Sequence, residues 1–188
     1  TPSMVNWKEI CQPKRPGMHL ASSLLTVAHG SDSVMYFQWR KGRNNCEKFH
    51  GAVVGHDGSD RTMVFRRVAS YGEKLERLSG LVDAVREPVA AVIYDWESNW
   101  ALRESHFAGG NEIKKWDETI QNHYRALWNS NIDLAVIDSE QDFSRYKLLV
   151  LPMLFLFKPG VVERLRRFVE AGGTVVGTYF TGYVDECN

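Results

Sequence analysis

Residues 89–94 read Val-Ala-Ala-Val-Ile-Tyr, an unbroken run of apolar positions. A strand with one wet face alternates polar and apolar residues. A continuous apolar run between a proline and an aspartate instead suits a strand buried on both faces, as in a parallel sheet with helices on either side. The rest of the second half fits that frame. Residues 112–130 predict an amphipathic helix, with Ile113, Trp116, Ile120, Tyr124, Leu127 and Trp128 on one stripe. Residues 133–137 and 148–153 predict two further strands. Pro159 opens another helix through Val161, Leu165, Phe168 and Val169, stopped at Gly172 and Gly173. Residues 174–178 predict one more strand. The order β-α-β-β-α-β implies an α/β domain with a mostly parallel sheet.

The first half is looser. Pro2, Pro13, Pro16 and Gly17 make residues 1–17 loop-like. Residues 18–29 predict a helix carried by Leu20, Ser23 or Leu24, Val27 and Ala28, with Gly30 as its stop. Residues 34–39 predict a buried strand after the turn signal Gly30-Ser31-Asp32. Asp60 predicts the N-cap of a long helix to about residue 84, with Val64, Phe65, Val68, Tyr71, Leu75, Leu78 and Val82 facing inward. Gly72 and Gly80 each weaken that helix by about 1 kcal/mol relative to alanine. Arg86-Glu87-Pro88 ends it and divides the chain into 1–86 and 87–188. A helix and a strand are one unit of a (β/α) repeat and cannot close a barrel alone.

Lys and Arg total 23, as do Asp and Glu, so charge argues for neither a nucleic acid nor an anionic membrane partner. No stretch approaches the roughly 20 apolar residues of a membrane span. Cys11, Cys46 and Cys187 are odd in number and far apart, which suits a reducing, cytoplasmic setting better than a disulfide framework or a metal cluster.

The chemistry-bearing residues lie in 34–54. The apolar strand gives way to Arg40, Lys41 and Arg43 in a Gly/Asn segment, then to Glu47, Phe49 and His50. Charged and aromatic residues gathered where a strand opens are what a barrel enzyme places at its catalytic face. The spacing of Glu47 and His50 would put two metal ligands on one helix face, but Asn44, Asn45 and Gly51 argue against a helix, and no metal is expected. From the residues alone, Glu47 and His50 also suit an ion pair or a loop cap. From the residues alone, Trp7 suits a loop tryptophan covering the core. Phe37 would point opposite to Tyr36 and Gln38 on a period-two strand, and barrel core and ligand wall are about even for it.

The segment YFQWRKGRNNCEKFHGAVV resembles the last strand and following loop of the catalytic barrel in family 42 glycoside hydrolases, the bacterial β-galactosidases. TPSMVNWK and KRPGMHLASSLLTVAHGSDS resemble the end of strand seven and the helix after it. MVFRRVASYGEKLERL and VAAVIYDWESNWAL resemble the closing barrel helix and the first strand of the second domain. The resemblance implies the terminal portion of a (β/α)8 TIM barrel in 1–86. It also implies a trimerisation domain in 87–188, flavodoxin-like in outline and glutamine-amidotransferase-like in fold. It implies retaining hydrolysis of terminal β-D-galactose without a cofactor, in a homotrimer. One carboxyl protonates the glycosidic oxygen while another, roughly 5–5.5 Å away, attacks the anomeric carbon.

By the resemblance, both catalytic glutamates lie outside this sequence, the nucleophile immediately before the position of Thr1. The chain is expected to be truncated at both ends and inactive alone. Glu47 and His50 match groups that hydrogen-bond galactose hydroxyls, Trp7 matches a tryptophan of the same subsite, and Phe37 matches a nearby aromatic. The alternative is a non-catalytic flavodoxin-like interaction module. A receiver would need clustered acids and a late lysine, which the sequence does not place beside Asp95 or Asp138. A flavin site would want a phosphate-cradling turn where Asp95 and Glu97 stand. A working amidotransferase would need a cysteine on a strand-to-helix elbow, and none of the three qualifies.

Overall fold

The computed structural model describes residues 2–106 and 110–187. The chain forms two compact units, Thr1–Arg86 and Glu87–Asn188.

In the first unit, α1 spans Met18–Ala28 and α2 spans Met63–Glu76, followed by a 3-10 turn at Ser79–Leu81. The N-cap of α2 is Thr62 rather than Asp60, because the Thr62 hydroxyl accepts from the Phe65 amide at 3.2 Å. The helix also stops earlier than predicted. Tyr71 is its buried residue, while Leu78 and Val82 beyond its end are exposed and have no core to enter. Helix α1 buries His19 and Ser23 rather than the leucines. The His19 ring packs 4.7 Å from Tyr36 and 5.3 Å from Tyr71, knitting α1, residue 36 and α2 together. Burial, and secondarily the charge of Lys14, lowers the His19 pKa.

Residues 34–39 do not form a strand. A strand exists only as a member of a ladder, and among the described residues 34–37 have no backbone partner. Pairing is confined to 38–41: Val53 and Val54 donate to the Gln38 and Trp39 carbonyls at 3.0 and 2.7 Å, and Lys41 donates to Val54 at 3.1 Å. The period-two alternation survives, with Tyr36 and Gln38 half-buried and Phe37 and Trp39 exposed.

The second unit is the α/β sheet. Its strands are β1 (Ala90–Ile93), β2 (Leu134–Ile137), β3 (Leu148–Leu151) and β5 (Thr174–Gly177), in the order β2-β1-β3-β5 and all parallel. Alternate residues of β1 serve opposite cores. Ala90 and Val92 pack with Leu102, Trp116, Ile120 and Phe155; Ala91 and Ile93 pack with Phe143, Leu149, Val161 and Phe168. The continuous apolar run is thus explained by helices on both faces.

Helix α4 (Trp116–Asn129) begins later than predicted. Residues Gly110–Ile113 form a 3-10 turn, so Ile113 leaves the stripe, and both it and Trp128 stay exposed. Helix α5 spans Val161–Glu170. It starts from Gly160, whose φ of 78° is a conformation that side-chain-bearing residues rarely adopt. The sequence reading missed α3 (Trp96–Glu104) and a small parallel pair of β4 (Leu156–Phe157) and β6 (Val184–Asp185). Helix α3 is capped by Asp95, which accepts from the Ser98 amide at 2.9 Å. Trp96 and Trp100 lie on its half-exposed side, with ring centres 6.3 Å apart.

Candidate functional site

Two loops of the first unit meet at Gly51. Its amide donates to the Met4 carbonyl at 2.9 Å, and a Cβ at this position would stand 2.7 Å from both the backbone nitrogen and oxygen of Met4. Only glycine lets the chains approach so closely. The 45–50 segment is wound into turns: Lys48 donates to Asn45 at 3.1 Å and His50 to the Glu47 carbonyl at 2.8 Å. Asn45 starts it in the left-handed region, with φ of 73°, and its side chain accepts from the Cys46 amide at 2.7 Å. The pairing of 38–41 with 53–54 closes the base of this loop.

The structure brings three of the four predicted site residues into ring contact. His50 is 2% exposed. Trp7 stacks on it with centroids 4.4 Å apart and planes 25° from parallel. Phe37 meets it edge-on at 5.6 Å. Trp7 and Phe37 each remain more than half exposed, so the cluster presents aromatic surface while its histidine is held in place. Glu47 is half-buried in the same loop, and among the described residues its carboxylate has neither an ion pair nor a hydrogen bond.

Asn6 is the residue that sequence reasoning missed. Its Nδ2 donates to the Cys46 carbonyl, and its Oδ1 lies 2.9 Å from Nδ1 of His50. The only sequence signal was its place beside Trp7. Chemically the cluster offers a flat apolar face and an oriented imidazole, with the Glu47 carboxylate in the same loop. That set suits a polyhydroxylated ring with one apolar face.

The second unit holds a separate charged cluster. The Lys158 ammonium lies 3.0 Å from Asp95, 2.9 Å from Glu97, 3.5 Å from Asp138 and 3.2 Å from Glu140. Burial would lower the Lys158 pKa. The bonds to Glu97 and Asp95, the charge of Asp95 and the bond to Glu140 outweigh that, so it lies above the ordinary lysine value. Asp95, Glu97 and Asp138 together have the spacing of a cation site, but the ammonium already sits among them. Lys158, which the sequence reading did not single out, is the lysine the fold brings beside Asp95 and Asp138. A cavity of about 510 Å³ in this unit, lined by Ser144, Arg164, Arg167 and Phe168, is remote in sequence from the Trp7 cluster.

Comparison with known proteins completes the picture. Residues 1–78 match the family described as beta-galactosidase, and residues 89–188 match the beta-galactosidase trimerisation domain. The chain belongs to the family 42 β-galactosidases. It is 50% identical to beta-galactosidase GalA of Bacillus licheniformis over 186 residues, covering 99% of this chain and 28% of that relative. It is 52% identical to beta-galactosidase Pbg of Clostridium perfringens, covering 99% of this chain and 27% of that protein. Among solved structures, Gan42B, a β-galactosidase from G. stearothermophilus, superposes with a TM-score of 0.92 at 50% identity, covering 99% of this chain and 27% of that one. A β-galactosidase from Bacillus circulans sp. alkalophilus gives 0.91 at 42% identity, with the same coverage. The α/β fold with a mostly parallel sheet agrees with these family structures. The chain spans just over a quarter of the length of the relatives it matches.

Proposed function

We propose that this chain supplies one wall of the galactose-binding subsite and the assembly domain of a retaining β-galactosidase. Thr1–Arg86 is the end of the catalytic barrel, and Glu87–Asn188 is the domain through which three copies assemble. Trp7 stacks on the apolar face of the sugar, Glu47 and His50 bond its hydroxyls, and Phe37 closes the pocket beside the imidazole. The catalytic carboxyls come from the rest of the parent chain, so this segment alone hydrolyses nothing. The observation that carries the reading is the Trp7–His50–Phe37 ring cluster, with the Glu47 carboxylate in the same loop making no hydrogen bond or ion pair among the described residues. No helix among the described residues is long and apolar enough to cross a membrane. The three free cysteines accord with a cytoplasmic enzyme.

The test is Glu47→Gln in the full-length enzyme, assayed on a chromogenic β-galactoside. Hydrogen bonds to a charged group contribute about 1.5–3 kcal/mol each. A carboxylate serving two hydroxyls should therefore account for about 10²-fold or more in kcat/KM. The oligomer should be unaffected. An unchanged rate would remove Glu47 from the subsite.

A further inference from the structure

Asn6 spans the two loops with both ends of its amide. One end meets the Cys46 carbonyl and the other meets Nδ1 of His50 at 2.9 Å. A carbonyl oxygen can only accept, so the amide atom against Cys46 must be the NH2 group. That turns Oδ1 toward the imidazole, where only an N–H can meet it. Nδ1 therefore carries a proton, and in a neutral ring that leaves Nε2 with its lone pair. The ring is held against exchanging its two nitrogens, since it is 2% exposed, stacked on Trp7 and abutted by Phe37. Among the described residues Nε2 has no hydrogen-bond partner.

We propose that Asn6 is a positioning residue that fixes the His50 tautomer, so that Nε2 accepts a hydrogen bond from one hydroxyl of the bound sugar. This rests on the subsite reading above. It adds a specificity rule: the hydroxyl facing His50 is recognised as a donor. Replacing that hydroxyl by fluorine, which cannot donate, should be as damaging as deleting it.

The test uses the full-length enzyme, with deoxy and deoxyfluoro methyl β-galactosides as competitive inhibitors. At one ring position both analogues should bind roughly tenfold more weakly than the parent sugar, the cost of an unpaired buried acceptor. In Asn6→Leu the parent sugar should weaken by a similar factor, and the penalty at that position should shrink towards one. Penalties at the other positions should persist. Fluoro analogues that bind like the parent at every position would overturn the proposal, because Nε2 would then be a donor. So would a common loss for all analogues in Asn6→Leu, which would mean a merely structural role. If His50→Ala left every inhibition constant unchanged, the subsite reading itself would fall. If it abolished one hydroxyl's contribution while the fluorine rule failed, only the tautomer assignment would.

Discussion

Replacing Lys158 by methionine removes the ammonium while keeping most of the volume. The structure sets the scale of the loss. The Asp95 side chain is fully buried and lies 3.0 Å from the Lys158 nitrogen, whereas Glu97, Asp138 and Glu140 are 52%, 37% and 63% exposed. The three exposed pairs contribute at most about 0–1 kcal/mol each. Stranding the buried carboxylate costs about 3–5 kcal/mol. Bonds from the Ser98 amide and the Ser139 hydroxyl still support Asp95, which favours the lower end. For a unit of this size, about 3 kcal/mol corresponds to a fall in Tm of roughly 12–24 °C. Because the Lys158 pKa is raised, its contribution is complete below the unfolded value of about 10.4 and is lost only as pH rises past the folded one. The deficit should therefore be constant between pH 6 and 9. Urea unfolding followed by tryptophan fluorescence, with Trp116 buried as the reporter, measures it. Lys158→Met combined with Asp95→Asn should recover most of the stability. A single-variant loss below about 1 kcal/mol, or a double variant no better than the single, would refute the assignment of Lys158 as counter-ion to a buried charge.

Gly51→Ala forces a methyl group into the Met4 backbone, so galactoside binding should fall while the second unit keeps its unfolding midpoint in the same urea experiment. Leu102→Ala opens a cavity in the core beneath α3 and should cost about 2–5 kcal/mol by equilibrium unfolding. His19 has a lowered pKa, so its contribution is present above the unfolded value of about 6.5 and is lost as pH falls below it. Stability of the first unit should decline over that acid range, and His19→Phe should flatten the decline in a pH series of unfolding curves.

The parallel sheet was legible because β1 is apolar at every position, and only burial on both faces accounts for that. Helices α1 and α5 were legible from apolar spacing and glycine stops. Helix α3 was not, because Asp95 was weighed as an acid that would repel phosphate rather than as an N-cap, although a capping aspartate with Glu97 in the first turn is a start signal. The 34–39 strand failed for the opposite reason: the pattern was right, but a pattern supplies no ladder. Trp7, Phe37 and His50 were singled out as subsite residues through resemblance alone, and their ring contacts depend on a close approach at Gly51 that no local pattern encodes. Asn6 and Lys158 act through partners distant in the chain, which periodicity cannot reveal.

A crystal structure of the full-length enzyme with bound galactose tests the subsite most directly. The sugar's apolar face should lie on Trp7, with hydroxyls bonded to the Glu47 carboxylate and to Nε2 of His50. Galactose bound in the barrel without touching Trp7, Glu47 or His50 would contradict the account.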